Sequence, residues 1–318
     1  MTASTNKRTE WILAVIVGVA VLVSIGLALR KMDLSRADEK LRQNTFQTPK
    51  EAGKALDDAA KNNDQIALAK VVGVEVKDLL MSGDAEADNA AMEGFAQKYQ
   101  QMNRWVDMSD GSRVLYIGAD NFAFPAPLVK NASGKWYFDG VAGAQELRAR
   151  DIGRNELLAI DACAAIANAE EGYAQNYSES GEFAQRVISS TGKQDGLYWP
   201  VSEQVGPSPL GHLSKFPKAS LASYPPDEPP VIDGYVLRIL TAQGEDAPGG
   251  AQNYIVNGKM TGGFAILATP VKYGETGIMT FVMGPHGFVL ERNLGPDTGK
   301  LAAAIEEFNP DEGWSLVE

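Results

Sequence analysis

An uncharged hydrophobic segment near the N-terminus constrains this chain more than any other feature. Residues 11–29, WILAVIVGVAVLVSIGLAL, carry no charge and are bounded by Glu10 on one side and by Arg30 and Lys31 on the other. As an α-helix the segment would reach about 28 Å, close to the thickness of the hydrocarbon core of a bilayer. It has no polar face, and it is longer than the apolar core of a cleavable signal peptide. The sequence therefore predicts an uncleaved transmembrane helix at residues 11–31.

The flanking charges leave the orientation of this predicted anchor open. More basic residues follow the segment than precede it, and the positive-inside rule alone would then keep the C-terminal part in the cytoplasm. A short tail, residues 1–10, followed by one hydrophobic segment and a long domain is instead typical of a bacterial signal anchor. Long domains also cross membranes largely regardless of their charge. We expect a single-pass protein of the bacterial inner membrane, embedded in lipid through residues 11–29, with its larger part in the periplasm.

The part beyond the anchor is long and acidic. The full chain has 318 residues, of which 44% are hydrophobic, so about two domains with packed cores are expected. Its formal net charge of -12 argues against nucleic-acid binding, because an acidic surface repels the phosphate backbone. The single cysteine, Cys163, excludes an intrachain disulfide.

Hydrophobic periodicity predicts a polar stalk at residues 32–46 and a first α+β domain at residues 47–143. A capping box at Thr48–Glu51, with proline at the first helical position, predicts a helix start. Apolar spacing of three and four residues predicts helices over about 49–61, 65–80 and 84–102, and strand patterns follow at 113–117, 127–130 and 135–139. Helices followed by a curved antiparallel sheet resemble the cone-shaped folds of the nuclear-transport-factor-2-like type.

A second predicted domain, residues 144–318, combines a long helix with an antiparallel sheet. The helix is expected at 144–176, and a stretch rich in Pro, Gly and Ser at 178–232 is expected to form long ordered loops. Strands are predicted at 235–240, 254–256, 259–260, 264–267, 278–283 and 288–290, and a terminal helix at 299–308. The predicted fold class is α+β: a transmembrane helix, a helix-plus-curved-antiparallel-sheet domain, and an α+β domain with an antiparallel sheet.

The chain offers no motif that indicates catalysis or metal binding. The stretch Gly295–Lys300 has one residue too few between its glycines for a phosphate-binding loop, and Leu301 stands where Ser or Thr is required. The two histidines, His212 and His286, lack zinc-ligand spacing. Glu170 and Glu171 are neighbours on a helix and point about 100° apart, so we expect a solvated face and not a carboxylate pair. We predict no catalytic residue, no metal and no cofactor.

One loop is the best sequence-based candidate for a ligand site. Asp195 opens the proline-bounded stretch Asp195–Pro200, in which Tyr198 and Trp199 supply two large aromatic side chains. Such a pair could form the wall of a ligand pocket, or it could cap the edge of a hydrophobic core. Asp195, Tyr198 and Trp199 are therefore candidate ligand-binding residues, with core capping as the alternative.

Motifs in the last two thirds of the chain resemble those of a bacterial family called domain of unknown function 2950. They are Ile152–Leu157, Asp195–Pro200, Ser208–Gly211, Arg238–Gly244, Ala247–Gly250, Gly262–Ala265, Met279–Phe281 and Leu294–Thr298. The resemblance covers roughly residues 44–318. It implies an exported protein of the bacterial cell envelope and brings no catalytic residues with it. The chain departs from the more usual member in carrying a long anchor in place of a cleavable signal.

Three functions are compatible with these observations. The first is a non-enzymatic binding or scaffold protein, such as an accessory subunit of a membrane-protein complex. The second is a binder of a small ligand or a peptide, through an aromatic pocket near Trp199. The third is a carboxylate-dependent hydrolase of envelope polymers, which would need two acids that converge in a cleft.

Overall fold

The computed structural model describes residues 43–202, 205–212, 221, 224–225 and 228–317. The predicted anchor and most of the predicted stalk lie outside these residues. Among the helices within them, none combines the length and apolarity that a membrane span requires. The described chain is a mixed α+β protein with antiparallel sheets. It divides into two compact units, unit 1 up to Leu147 and unit 2 from Arg148 onward.

Four helices open unit 1, and capping residues position their starts. They are α1 (Pro49–Lys61), α2 (Gln65–Val72), α3 (Val74–Leu80) and α4 (Ala85–Gln101). Thr48 Oγ1 accepts a hydrogen bond from the amide of Glu51, as the predicted capping box requires. The carboxylate of Glu51 turns back to the amide of Gln47 instead of that of Thr48. Asp64 and Asp84 cap α2 and α4 in the same way, each accepting two amide hydrogen bonds.

Two details of these helices differ from the sequence-based prediction. The single helix expected at 65–80 is broken at Gly73, whose φ of 93° lies outside the helical region. Helix α4 ends at Gln101, because Met102 adopts an extended conformation. The apolar spacing continued through Met102, so the prediction placed that residue in the helix and missed the strand that follows.

The sheet of unit 1 is antiparallel and centred on strand β2. Its strands are β1 (Asn103–Asp107), β2 (Arg113–Ile117), β3 (Phe122–Ala123), β4 (Leu128–Lys130) and β5 (Trp136–Phe138). The order is β1-β2-β4-β5, and β3 pairs with the end of β2. The predicted strand at 113–117 and the predicted 127–139 hairpin are confirmed. Asn131 Oδ1 organises the hairpin turn by accepting hydrogen bonds from the amides of Ser133 and Lys135.

The end of the predicted stalk belongs structurally to unit 1. Phe46 forms a two-way backbone pair with Trp136, with N···O distances of 2.7 and 2.8 Å. The Gln43 amide donates to the carbonyls of Val71 and Phe138. Residues 43–46 are therefore tied to α2 and β5 by hydrogen bonds.

A single long helix, α5 (Gly140–Asn176), contains the boundary between the two units. It begins four residues before the predicted start at 144. The carboxylate of Asp139 accepts a hydrogen bond from the amide of Ala142, which caps the first turn. The prediction had assigned Asp139 to the end of a strand.

Unit 2 is built on a six-stranded antiparallel sheet. After a 3₁₀ turn at Leu210–His212, its strands are β6 (Val231–Ile232), β7 (Tyr235–Leu240), β8 (Ala242–Gln243), β9 (Gln252–Asn253), β10 (Ile255–Val256), β11 (Lys259–Met260), β12 (Ala265–Pro270), β13 (Met279–Met283), β14 (Val289–Asn293) and β15 (Ser315–Leu316). The large sheet has the order β15-β14-β13-β12-β7-β6, while β8-β9 and β10-β11 form separate hairpins. All six residues of β12 are buried. The short helix α6 (Thr298–Ala303) ends five residues before the predicted limit.

The β10-β11 hairpin has the turn that its sequence predicts. Asn257 and Gly258 have φ values of 53° and 80°, as a two-residue turn with both central positions in the left-handed region requires. The predicted strands at 235–240, 264–267, 278–283 and 288–290 all appear, with ends shifted by up to three residues. Each unit has its own buried core.

Candidate functional site

A pocket within unit 1 lies between helices α1 to α4 on one side and, on the other, the sheet, its loops and the first part of α5. Its volume is about 330 Å³. The helical wall consists of apolar side chains from α1 to α4: Leu56, Ala60, Leu68, Leu80, Met92 and Phe95. The opposite wall consists of Ile117, Phe122, Phe124, Pro125 and Leu147. The pocket falls within the size range of small-molecule sites, roughly 300–1,000 Å³.

Helix α4 contributes one continuous face to this pocket. Ala91, Gly94, Phe95 and Lys98 all line it, at the three- and four-residue spacing of a single helical stripe. Two of the four are small, and a Cβ built on Gly94 would meet no atom within 4 Å. The space in front of Gly94 is therefore open and not filled by a neighbouring side chain.

Aromatic contacts hold the deeper walls in place. The rings of Phe95 and Phe124 pack edge to face with centroids 5.7 Å apart, and Phe124 makes the same kind of contact with Phe138. Such contacts fix ring orientations and add to the stabilisation from burial. These packed walls indicate a pre-formed pocket.

Lys98 is the only charged residue among the described residues that line the pocket. Its ammonium lies 2.7 Å from Asp120 Oδ2 and 5.5 Å from the centroid of the Phe122 ring. The hydrogen bond from Lys98 lowers the pKa of the Asp120 carboxyl, which therefore remains ionised at neutral pH. The Lys98 and Asp120 side chains are 45% and 57% exposed, so this ion pair lies at the rim and not inside.

The loop residues predicted from the sequence lie elsewhere, in unit 2. Tyr198 and Trp199 are 7% and 3% exposed and belong to the core of that unit. The Trp199 indole donates a 2.9 Å hydrogen bond to the carbonyl of Gly206, and its ring packs edge to face on Tyr177. Their burial agrees with the core-capping alternative. Their role in ligand binding stays a prediction.

Asp195 organises its own loop. Its carboxylate accepts hydrogen bonds from the amide and the hydroxyl of Ser190, at 2.7 and 2.9 Å. Partial burial raises the pKa of Asp195, but these two hydrogen bonds and the charge of Arg186 outweigh that effect and lower it. Asp195 is therefore an anion held by local contacts in the loop that carries the two aromatic residues.

Two polar groups of α5 are buried in the core of unit 2. Burial raises the pKa of the Cys163 thiol to about 12, so the thiol stays protonated at neutral pH and is a poor nucleophile. Glu170 is fully buried, whereas Glu171 is exposed, so the expected solvated face is wrong for Glu170. The 100° between neighbouring residues on a helix explains the difference. The sequence carries no signal for a buried carboxyl at this position.

Metal and histidine chemistry receive no support from the described part of the chain. Within it, no group of three or more His, Cys, Asp or Glu side chains is placed to hold a metal ion. His286 lies near Phe288 in a mostly apolar surface cavity of unit 2. The unit 1 pocket thus remains the site whose geometry is most typical of ligand binding.

Comparison with known proteins places the chain in a family. Searches of curated proteins and of solved structures gave no match. A family model described as protein of unknown function (DUF2950) matches residues 43–317, and the chain therefore belongs to that family.

Proposed function

We propose that this protein is a non-enzymatic binding protein of the bacterial cell envelope, anchored in the inner membrane, and that unit 1 binds a small apolar molecule. The observation that carries the proposal is the unit 1 pocket, a 330 Å³ space with apolar walls from α1 to α4 on one side and the sheet on the other. Open apolar surface of this kind is unfavourable in water, and an apolar ligand would remove it from contact with solvent.

The size of the pocket limits the ligand. An apolar cavity of about 150 Å³ takes one benzene ring, so the unit 1 pocket has room for about a dozen carbon atoms. The two acyl chains of a membrane phospholipid would need much more space. A single alkyl chain or a small ring system fits this volume.

Gly94 provides a direct test of the pocket. A phenylalanine at this position would extend into the open space and fill it, because nothing lies within 4 Å of the built Cβ. Gly94→Ala is the matched control, since it adds one methyl group to the same helix position. The full-length protein in lipid nanodiscs would be titrated with decanol by calorimetry, with the heats of empty nanodiscs subtracted.

We expect saturable binding of about one decanol per chain in the wild-type protein and in Gly94→Ala. Gly94→Phe should weaken binding at least about tenfold, because its ring occupies the ligand volume. Equal binding by Gly94→Phe and the wild-type protein, or the absence of saturable binding in both, would overturn the proposal.

The anchor and its orientation form a separate part of the proposal, supported by the uncharged segment at residues 11–29. Protease treatment of intact spheroplasts tests the orientation. Digestion of a C-terminal tag without lysis supports a periplasmic location, whereas protection until lysis supports a cytoplasmic one. Recovery of the protein in the soluble fraction after cell breakage would contradict the anchor itself.

A role as accessory subunit of a membrane complex is compatible with ligand binding and stays a hypothesis. Its motivation is the predicted anchor. Purification from native membranes in mild detergent, with and without residues 1–31, tests it. A stoichiometric partner that requires these residues would support the role, and a lone protein in both samples would count against it.

A further inference from the structure

One cation, the ammonium of Lys98, lies at the rim of the unit 1 pocket. The Lys98 ammonium is set between the Asp120 carboxylate and the face of the Phe122 ring. Phe122 is itself 42% exposed, so both the charge and the ring lie where the pocket meets solvent. The interior behind them is apolar.

The stem of Lys98 is held by the turn between β2 and β3. Gly118, with φ of 73°, packs so closely that a Cβ there would lie 3.2 Å from Cγ and 3.3 Å from Cβ of Lys98. The Gly118 amide donates to the carbonyl of Lys98 at 3.1 Å. Only glycine combines this backbone conformation with this approach at low cost. The turn therefore packs against the first two carbons of the lysine side chain, and the ion pair with Asp120 holds its ammonium at the rim.

Asp120 satisfies only part of the hydrogen-bonding capacity of this ammonium. A lysine ammonium has three N–H donors, and Asp120 Oδ2 accepts one of them at 2.7 Å. Two donors remain for solvent or for a ligand group at the rim. In a chain with a net charge of -12, a cation at the edge of an apolar pocket gives an anionic group a local point of attachment.

We propose that the ligand is a single-chain amphiphile with an anionic head, a medium-chain alkyl carboxylate, whose tail fills the unit 1 pocket and whose carboxylate binds Lys98. This inference rests on the proposed function, and it adds the identity of the head group. A carboxylate accepts charge-assisted hydrogen bonds from the N–H donors of Lys98 that Asp120 leaves free, whereas a hydroxyl gains less and a trimethylammonium head offers these donors no acceptor. The tail contributes affinity through burial, and the head contributes selectivity.

Three ligands with the same ten-carbon chain test the head group: decanoate, decanol and decyltrimethylammonium. The full-length protein in nanodiscs would be titrated with each, with empty nanodiscs subtracted. We expect decanoate to bind about tenfold more tightly than decanol, because only decanoate offers Lys98 a charged hydrogen-bond acceptor. We expect decyltrimethylammonium to bind most weakly.

Variants at Lys98 separate its charge from its packing. Lys98→Met keeps an apolar stem but removes the ammonium, and we expect it to bind decanoate and decanol equally. Lys98→Arg should retain the preference. Lys135→Met is the matched control, because it removes one charge from an exposed turn of the same unit and should leave the preference unchanged.

The outcomes distinguish the two proposals. Equal binding of all three ligands, or a decanoate preference that persists in Lys98→Met, would overturn the head-group assignment and leave the apolar-ligand function intact. Absence of saturable binding for every ligand would overturn both. A decanoate preference lost in Lys98→Met and kept in Lys135→Met supports the assignment. A preference for lysophospholipid micelles over decanoate at equal chain length would point to a phosphate-bearing head and contradict it.

Discussion

Glu170 Oε2, on the long helix α5, accepts a 2.7 Å hydrogen bond from the backbone amide of Ala184. This contact ties the helix to the chain segment that follows it. The second carboxyl oxygen, Oε1, is buried and has no hydrogen-bond partner. Burial raises the pKa of Glu170 well above 4.5, and the Ala184 hydrogen bond offsets this effect only in part. In the folded protein, the Glu170 carboxyl therefore stays protonated and neutral at pH values at which an exposed glutamate is already ionised.

The first prediction concerns the pH dependence of stability. The folded state holds the Glu170 proton more tightly than the unfolded state does, since its pKa is raised on folding. The stabilisation linked to that proton is fully present below about pH 4.5 and is lost as pH rises through the folded-state pKa. Glu170→Gln should flatten this decline, because glutamine stays neutral and can still accept from Ala184. Urea unfolding at several pH values between 5 and 9 measures the effect.

Glu171→Gln is the control, because Glu171 is exposed and adjacent on the same helix. It removes the same formal charge without changing a buried group. We expect its pH profile to match that of the wild-type protein. A Glu170→Gln profile as steep as that of Glu171→Gln would show that the buried carboxyl does not carry the pH dependence.

The second prediction is that one substitution has opposite effects at two helical glycines of unit 1. Gly94→Ala should raise the free energy of unfolding by about 0.5–1 kcal/mol, because alanine is the better helix former and its Cβ meets open space. At Gly143 the added Cβ would lie 2.7 Å from Ala126 Cβ and 2.9 Å from Ala126 Cα. Gly143→Ala should therefore lower the free energy of unfolding by about 1–3 kcal/mol.

Denaturant unfolding of the two variants in parallel gives the sign of each effect. Each variant serves as the control for the other, since residue type and secondary structure are the same. Destabilisation by Gly94→Ala would mean that the space in front of Gly94 is filled, which would also weaken the proposed function. Stabilisation by Gly143→Ala would contradict the close contact with Ala126.

Much of the secondary structure follows from local patterns in the sequence. Strands β2 and β7 have the predicted limits, because runs of β-branched and aromatic residues are bounded there by polar or turn residues. The Asn257–Gly258 turn follows from the conformations that these two residue types tolerate. The family predicted from the motifs is also confirmed. Strand β1 was missed because its sequence, Asn-Arg-Trp-Val-Asp, does not alternate polar and apolar residues and follows an apolar helical spacing that runs through Met102.

The candidate site was not predictable in the same way. The apolar spacing of Ala91 and Phe95 predicts a helix, which is confirmed, and both residues line the pocket. A filled core and an open pocket require the same face, however. Whether a filled core or an open pocket results depends on how Leu56, Ile117 and Leu147 pack around this face of α4, and these three residues are distant from one another in the sequence.

The third prediction concerns Trp199, the centre of the site proposed from sequence. The side chain is almost fully buried, so Trp199→Ala would leave a large cavity in unit 2. We expect the free energy of unfolding to fall by about 3–5 kcal/mol. Trp199→Phe retains most of the volume but loses the hydrogen bond to Gly206, and it should cost less. Unchanged stability of Trp199→Ala in urea unfolding would contradict this and favour the hypothesis that the residue binds a ligand.

The fourth prediction tests a polar contact inside unit 2. The Tyr254 hydroxyl donates a 2.7 Å hydrogen bond to Gln243 Oε1, and the amide nitrogen of Gln243 donates to the carbonyls of Pro248 and Gly250. Tyr254 is fully buried, so Tyr254→Phe would leave the Gln243 oxygen without a partner and without access to water. We expect the free energy of unfolding to fall by about 1–3 kcal/mol.

Tyr177→Phe is the matched control for this contact. The Tyr177 hydroxyl also donates a 2.7 Å hydrogen bond, to the carbonyl of Pro207, but Tyr177 is exposed. Water can replace the lost donor there, so the change should lie within about 0.5 kcal/mol. Urea unfolding of both variants measures the difference. Equal losses would mean that burial does not set the strength of the Tyr254 contact. A larger loss at Tyr254 would show that the buried Gln243 oxygen depends on this one donor.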